Sequence, residues 1–271
     1  MREINSVEEI QDISYQILVK FHNFCEEHNL RYILAGGTLL GAVRHHDFIP
    51  WDDDIDVQMP RPDYERFLEI TKNGIGENTA VVNWRTMEKP FFTFTKVIDT
   101  RTILRELISI PNEIGIYIDI FPTDGLPESK EKINQKFKKL IHYKQLLILR
   151  TLKIQKGKSS SALLKKAVLV PVIRLLYKPK KLISKIESFA LQDDYDKSSN
   201  VAFQILGYNL KEVTKKDKFY SRVKMKFRDS EFYIPSNYDE YLRSLFGNYM
   251  ELPPLDEQVP HHSFVAFWRE S

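Results

Sequence analysis

The chain has 271 residues, of which 42% are hydrophobic and 28% charged, so it can bury a substantial core as one large domain or as one domain with an insertion. A single cysteine, Cys25, excludes an intramolecular disulfide and is typical of a reducing compartment. The formal net charge of +3 hides an asymmetry: residues 130–185 carry 17 Lys and Arg and one acid, which leaves the rest of the chain acidic.

The N-terminal residues lack the apolar core of a signal peptide, so we expect a protein that is not secreted. Ser6 and Glu9 match the capping box that opens many helices. The apolar residues after them recur every three or four positions and predict an amphipathic helix: Ile10, Ile13, Ile17, Phe21 and Phe24.

The next segment predicts a strand, a turn and a helix in succession. Tyr32 to Ala35 is typical of a short buried strand, Gly36 and Gly37 of a turn, and Thr38 of a helix N-cap. Because backbone N–H groups at such a turn and helix N-terminus are available to bind anions, this segment predicts a phosphate site.

An acidic stretch follows, with Asp52, Asp53, Asp54 and Asp56 within five positions. Four carboxylates in one folded place are costly unless a cation or a solvated loop relieves their repulsion, and both interpretations are open for an acidic run alone. The alternation from Asp54 to Val57 predicts a strand that points Asp54 and Asp56 to one side. Two carboxylates on one strand face suit a hard divalent cation such as Mg²⁺ (or Mn²⁺).

Further strands are predicted at Ala80 to Trp84, Phe91 to Ile98, Thr102 to Leu104 and Gly115 to Phe121. A period of two places Lys96 on the same face as Phe92 and Phe94, so Lys96 either points into the site or reaches solvent at the strand end. Asp119 lies between Ile118 and Ile120, where an unpaired buried carboxylate is costly. It supplies a third carboxylate on the metal side.

Residues 130–185 are helical by pattern, and their apolar run is broken by basic residues and too short to span a bilayer. This segment either lies on an anionic membrane or is a helical insertion with solvated lysines. Nucleic-acid binding is less favoured because aromatics for base stacking are few. We predict a catalytic core at 1–129, a basic helical insertion at 130–192, which faces a membrane in the first of these interpretations, and a C-terminal part at 193–271 that completes the catalytic domain.

The C-terminal part predicts a strand at Arg222 to Phe227 paired with Phe232 to Ile234, and a helix at Tyr238 to Phe246 that ends at Gly247. His261 and His262 close the chain, and adjacent histidines without a further ligand at suitable spacing are a poor metal signal.

Several of these motifs together resemble the LicD family of phosphocholine transferases, relatives of fukutin within the nucleotidyltransferase fold. The resemblance rests on residues 36–45 (GGTLLGAVRH), 48–56 (FIPWDDDID), 115–122 (GIYIDIFP), 124–127 (DGLP), 238–242 (YDEYL), 246–250 (FGNYM) and 252–254 (LPP). It implies an α+β, nucleotidyltransferase-like fold with a mixed β-sheet flanked by helices, and it points to Asp119 as well.

Spacing alone indicates metal-assisted phosphoryl transfer, with Asp54, Asp56 and Asp119 as metal ligands and catalytic carboxylates and Asp119 closest to a general base. Asp52 and Asp53 then orient or solvate the loop. Backbone groups of Gly36, Gly37 and Thr38 receive one phosphate, and Arg44 or Lys96 pairs with a second, although a surface salt bridge is the ordinary role of such an arginine. A quaternary ammonium would contact aromatic faces, for which the candidates are Trp51, Trp84, Phe92 and Phe121.

The resemblance implies a donor such as CDP-choline or a similar CDP-alcohol, including CDP-ribitol, and CMP as the leaving group. The acceptor is a hydroxyl of a lipid-linked cell-envelope glycan, such as a teichoic acid or lipopolysaccharide precursor. We expect a cytoplasmic enzyme, peripheral at the inner face of the plasma membrane, with no nucleic-acid partner. The alternatives are a nucleotidyltransferase that releases pyrophosphate, and a non-catalytic module that binds membrane or nucleic acid through the basic segment.

Overall fold

The computed structural model describes residues 1–106, 114–151, 170–203, 209–260 and 264–270. Its helices include α1 (Val7–Glu27), α2 (Gly36–Arg44), α3 (Arg61–Ile70), α4 (Lys130–Thr151), α5 (Pro179–Ala190), α6 (Lys216–Phe219) and α7 (Tyr238–Phe246). Its strands are β1 (Arg2–Ile4), β2 (Ile33–Leu34), β3 (Asp56–Pro60), β4 (Thr79–Asn83), β5 (Thr95–Asp99), β6 (Thr102–Glu106), β7 (Tyr117–Leu126), β8 (Asn200–Ala202), β9 (Thr214–Lys215), β10 (Arg222–Phe227), β11 (Ser230–Pro235) and β12 (Phe264–Trp268).

The main sheet has the strand order β2-β3-β7-β5-β4, and β8 and β9 extend it from the second half of β7. Strands β3 and β7 are parallel, whereas the other neighbours are antiparallel, so the sheet is mixed. A smaller sheet, β1-β12-β6, joins the two ends of the chain, and β10 and β11 form a hairpin. The predicted combination of a mixed sheet with flanking helices is confirmed.

Opposite faces of the main sheet pack against different helices. Ile118 and Ile120 of β7 are fully buried in the core that includes the apolar face of α1. Phe121 belongs to a second cluster, which contains residues of α4 and α5 such as Leu140 and Ile183. Because successive side chains of a strand alternate between faces, Asp119 shares the α4–α5 face with Phe121.

A buried ion-pair network links α3 to this face. Arg61 is 5% exposed and donates from Nε and Nη2 to the two carboxylate oxygens of Asp124, at 2.6 and 3.0 Å. Its Nη1 lies 3.5 Å from Oε1 of Glu187 on α5 and 3.1 Å from Oε1 of Glu65. Such a bidentate pair supplies the partners that buried charges require.

Most of the local predictions are confirmed, and the start of one strand is wrong. Ser6 is the N-cap of α1, and its Oγ accepts a hydrogen bond from the backbone N–H of Glu9 at 3.1 Å, so the predicted helix start is confirmed. The side chain of Glu9 does not complete a capping box in the described hydrogen bonds, because its Oε1 accepts from Nη2 of Arg2 at 2.6 Å and from Nε1 of Trp268 at 2.8 Å. The C-terminal hairpin is confirmed, and so is the helix that ends at Gly247, whose φ is +68°. The strand predicted from Phe91 begins only at Thr95, because residues 91–94 lie in the aromatic cluster against α4 rather than along the sheet.

Residues 130–151, 170–176 and 179–190 are helical, as predicted for the basic segment. The sequence also predicts a loop at 157–161, where a glycine and a lysine precede three serines. This stretch and the histidines at 261 and 262 lie outside the described residues. The division into a core, an insertion and a completing C-terminal part stays a prediction.

Candidate active site

Three charged side chains form a row across the neighbouring strands β3, β7 and β5. Asp56 lies beside Asp119 in the sheet register, and Asp119 lies beside Lys96. Paired residues of adjacent strands project from the same face, so the row faces the α4–α5 side with Phe121. The sheet therefore brings together three residues that are distant in sequence. Asp119 is 63 positions from Asp56 and 23 positions from Lys96.

Lys96 points inward. It is 3% exposed, and its Nζ donates to Oδ1 of Asp119 at 2.7 Å. The same Nζ lies 3.2 Å from the ring centroid of Tyr117 and 5.0 Å from that of Phe94, distances at which an ammonium is attracted to ring faces. The alternative in which this lysine reaches solvent is wrong, because the carboxylate and the rings together replace its hydration. A contact with substrate phosphate stays a prediction.

The acidic loop gathers before the strand rather than along it. Asp52, Asp53 and Asp54 each offer a carboxylate oxygen, and these oxygens lie within 4.8 Å of one another. The prediction that Asp54 and Asp56 are in phase on one strand is wrong, because β3 begins at Asp56. The side chain of Gln11 on α1 donates to the backbone carbonyl of Asp52 at 2.7 Å, and this hydrogen bond fixes the start of the acidic loop against α1.

Asp56 is the electrostatic centre of the site. Desolvation by the surrounding protein raises its pKa well above the usual value, and the charges of Asp54, Asp119 and Asp52 raise it further, while Lys96 opposes them. Because three neighbouring carboxylates raise this pKa and the ammonium of Lys96 lowers it, a cation bound beside Asp56 would stabilise its charged form. Carboxylate oxygens are the ligands that Mg²⁺ prefers, so the donor set fits a hard divalent cation. The ligand assignment to Asp54, Asp56 and Asp119 stays a prediction.

Helix α2 starts earlier than the sequence indicates. It begins at Gly36 with Ala35 as the N-cap, so the prediction of Thr38 as the N-cap and of a separate glycine turn is wrong. The reason is that Gly36 adopts a φ of +51°, which lets the chain turn into the helix two residues sooner. Thr38 Oγ1 instead accepts a hydrogen bond from the backbone N–H of Asp56 at 2.8 Å, and this bond joins α2 to β3.

Both glycines make room for carboxylates. A Cβ at Gly36 would lie 2.8 Å from Oδ2 of Asp56, and a Cβ at Gly37 would lie 2.4 Å from Oδ2 of Asp52. Two acids therefore lie against the first turn of α2, where the helix dipole favours negative charge. Binding of substrate phosphate by Gly36, Gly37 and Thr38 stays a prediction.

Two cavities meet at Asp56. The first, of about 500 Å³, lies between the sheet and α7, and the second, of about 820 Å³, lies between α2, the acidic loop and the segment after α7. Gly36, Asp56 and Phe246 line both of them. Because their volumes are in the range of small-molecule sites, two substrates could approach Asp56 from different directions.

Arg44 and Trp51 line the second cavity, together with Asp52 and Asp54. The Arg44 Nη1 donates to the backbone carbonyls of Tyr249 at 2.8 Å and Glu251 at 3.2 Å. Its guanidinium thus holds the segment after α7 against α2, a role that the sequence did not indicate. The predicted contact of Arg44 with phosphate stays a prediction.

The four aromatic candidates separate into two groups. Trp51 lines the second cavity and Phe121 lines the first, so both lie at the walls of the site. The ring centroid of Phe92 lies 5.4 Å from Nζ of Lys96. Trp84 packs against the aromatic cluster that contains Phe92. Trp51 and Phe121 are therefore the two candidates that line the cavities meeting at Asp56.

Sequence reasoning missed a polar chain in the wall of the first cavity. Tyr241 Oη donates to Oε2 of Glu212 at 2.5 Å, Gln58 Nε2 donates to Tyr241 Oη at 3.5 Å, and Thr123 donates to Gln58 Oε1 at 3.2 Å. Gln58 could have been found, because it follows Asp56 by two positions on β3. Glu212 carried no sequence signal, since a single acid between lysines is ordinary.

Comparison with known proteins places this geometry in a family. The LicD/FKTN/FKRP nucleotidyltransferase domain matches residues 29–154. The lipopolysaccharide cholinephosphotransferase LicD of Haemophilus influenzae is 30% identical over 268 residues, which cover 97% of this chain and 98% of the relative. The chain belongs to the LicD family. The family predicted from the motifs is thereby confirmed.

More distant LicD-family relatives match a short segment. The human and mouse ribitol 5-phosphate transferase FKRP are each 59% identical over 32 residues, which cover 12% of this chain and 6% of each relative. The domain match spans α2, the acidic loop, Lys96 and Asp119, so it contains the charged row. Among the described residues, no helix is both long enough and apolar enough to cross a bilayer.

Proposed function

We propose that this LicD-family chain transfers phosphocholine from CDP-choline to a hydroxyl of a cell-envelope glycan such as a lipopolysaccharide or teichoic acid precursor, with release of CMP. The near full-length similarity to the Haemophilus influenzae enzyme supports the reaction. The observation that carries the proposal is the position of Asp56, in register with Asp119 and in the wall of two cavities. In this proposal the core folds as a nucleotidyltransferase, residues 130–192 are the insertion, and residues 193–271 complete the domain.

The carboxylates would hold Mg²⁺ or Mn²⁺, with Asp54, Asp56 and Asp119 as ligands and Asp52 and Asp53 close by. The cation would neutralise charge that develops on the transferred phosphoryl group. In the proposed reaction the acceptor oxygen bonds to phosphorus, the bond from phosphorus to the CMP oxygen breaks, and CMP leaves with that electron pair.

The proton of the acceptor hydroxyl passes to a carboxylate of this set. The sequence favoured Asp119, but its Oδ1 already accepts a hydrogen bond from Nζ of Lys96 at 2.7 Å. Asp56 lines both cavities, so its carboxylate is the better placed of the two to accept that proton.

Product analysis tests this proposal. Wild-type protein with CDP-choline, Mg²⁺ and a lipid-linked glycan should release CMP and attach one phosphocholine per CMP. Release of pyrophosphate from a nucleoside triphosphate, with nucleotide attached to the acceptor, would instead establish the nucleotidyltransferase alternative. Turnover of CDP-ribitol in place of CDP-choline would assign another cargo to the same site, which the short FKRP similarity makes worth measuring.

We propose in addition that the basic segment contacts an anionic membrane. Val172, Leu175 and Leu176 are 46%, 84% and 67% exposed, and exposed lysines at 178, 180 and 181 follow them. Apolar side chains beside basic ones suit the interface of an anionic leaflet, where the lipid-linked acceptor would lie. This contact would hold the protein at the inner face of the plasma membrane.

Vesicle sedimentation tests the membrane contact. The wild-type chain should sediment with vesicles that contain phosphatidylglycerol and much less with vesicles of phosphatidylcholine alone. The double substitution Leu175→Glu and Leu176→Glu should abolish sedimentation, whereas Val223→Glu, at an exposed site on β10, should not change it. Equal sedimentation of all three proteins would contradict the proposal.

A further inference from the structure

We propose that the first cavity is the binding site for the cationic head of the transferred alcohol, and that Glu212 is its counter-ion. This inference rests on the proposed phosphocholine transfer and names the residues that select its cargo. The cavity combines aromatic walls, a buried carboxylate and direct contact with the charged row, and each of these three features favours a quaternary ammonium.

The walls are aromatic on several sides. Phe121 comes from β7, Phe203 follows β8, and Tyr241 and Phe246 come from α7. The rings of Phe121 and Phe203 lie 4.5 Å apart between centroids, so they form one continuous surface. A quaternary ammonium has no N–H to donate and is bound best by ring faces, which attract its diffuse charge without requiring hydrogen bonds.

A buried carboxylate gives this aromatic surface a negative charge. Glu212 is 4% exposed and lines the cavity, and Tyr241 Oη donates to its Oε2 at 2.5 Å. Burial raises the pKa of Tyr241 well above its usual value, and the charges of Glu212 and Asp56 raise it further. The phenol therefore keeps its proton and orients the carboxylate. Two lysines accompany this carboxylate: Lys211 lines the cavity but is exposed, and Lys144 of α4 interacts electrostatically with Glu212, whose charge partly offsets the lowering of the Lys144 pKa by burial.

The position of the cavity matches the length of the cargo. Two carbons separate the ammonium of choline from its phosphate oxygen, so the head must bind next to the reacting phosphorus. Gly36 and Asp56 belong both to this cavity and to the charged site, and Gln58 and Phe121 lie one pleat further along β3 and β7, beside each other in the register. A head in the first cavity would thus place its phosphate at Asp56 and leave the second cavity for the other substrate.

Binding of choline and of its neutral isostere 3,3-dimethyl-1-butanol, measured by calorimetry, tests the assignment. Wild-type protein should bind choline at least tenfold more tightly than the isostere. Glu212→Gln should remove most of this difference, whereas Glu240→Gln, an exposed acid on α7, should keep it. Phe246→Ala, at a side chain that is 46% exposed, should weaken choline binding several-fold without unfolding the protein, and it provides a second test if Glu212→Gln fails to fold.

Turnover of CDP-choline separates this inference from the proposed function. The inference predicts that Glu212→Gln raises KM for CDP-choline while kcat changes less. It also predicts that this substitution lowers the ratio of kcat/KM for CDP-choline to kcat/KM for the CDP-linked donor that carries the neutral isostere. If wild-type protein turns over CDP-choline and both Glu212→Gln and Phe246→Ala leave choline binding and KM unchanged, the pocket assignment is wrong and the function stands. If choline binds in a Glu212-dependent manner but no CDP-choline is consumed, the function is wrong and the pocket stands.

Discussion

Replacing Gly36 with alanine tests how closely α2 approaches Asp56. The added Cβ would lie 2.8 Å from Oδ2 of Asp56, and the residue would have to keep a φ of +51°. The left-handed backbone costs an L-residue on the order of 1–2 kcal/mol, so the melting temperature should fall by about 2–8 °C. Relief of the contact would displace the carboxylate, and a displacement of about 1 Å at a reacting group can lower turnover by about 10²-fold.

The assay is CMP release from CDP-choline at saturating Mg²⁺, measured beside the melting temperature. Gly76→Ala is the matched control, because Gly76 has a φ of +135° and no described atom lies within 4 Å of its added Cβ. It should lose comparable stability and keep full turnover. If Gly36→Ala retained wild-type turnover, or if both variants lost turnover in proportion to stability, the argued contact with Asp56 would be refuted.

Two further predictions concern stability. Arg61→Met should lower the free energy of unfolding by about 3–5 kcal/mol, because it leaves Asp124 buried without this ion pair. Adding Asp124→Leu should restore most of the lost stability. The control Arg243→Met, which breaks an exposed ion pair with Asp239, should cost less than about 1 kcal/mol. Burial lowers the pKa of Lys144 to about 8 from its usual 10.5, so its charge opposes folding below about pH 8 and this cost disappears as the pH rises to 10.5. Lys144→Met should therefore raise the melting temperature relative to wild type at pH 7 and not at pH 10.5, and equal effects at the two pH values in thermal melts would contradict this reasoning.

Sequence patterns predicted what depends on neighbours along the chain. The N-cap at Ser6, the helix before Gly247 and the hairpin at Arg222 all follow from local chemistry, and the structure has each of them. The flanking isoleucines of Asp119 likewise indicated a central strand, which β7 is. In these cases the local preference and the tertiary packing agree, so a single sequence is sufficient.

Tertiary contacts decided the features that the sequence missed. Thr38 is a good N-cap by local preference, but its hydroxyl accepts from the backbone of Asp56, and Gly36 turns the chain earlier. Tyr241, which donates to Glu212, lies 29 positions away on α7, so no spacing along the chain could indicate their hydrogen bond. The period of two in its strand left two interpretations of Lys96, one pointing into the site and one reaching solvent. Only the register with Asp119 decides between them.

The most direct test of the central claim is the rate of CMP release from CDP-choline by wild-type protein and by Asp56→Asn, each with Mg²⁺ and with EDTA. The account predicts that EDTA and Asp56→Asn each reduce the rate by about 10²-fold or more, with the fold intact by circular dichroism. Asp217→Asn, at an exposed acid on α6, should retain the wild-type rate. Turnover that survives both EDTA and Asp56→Asn would contradict a metal-dependent carboxylate site centred on Asp56.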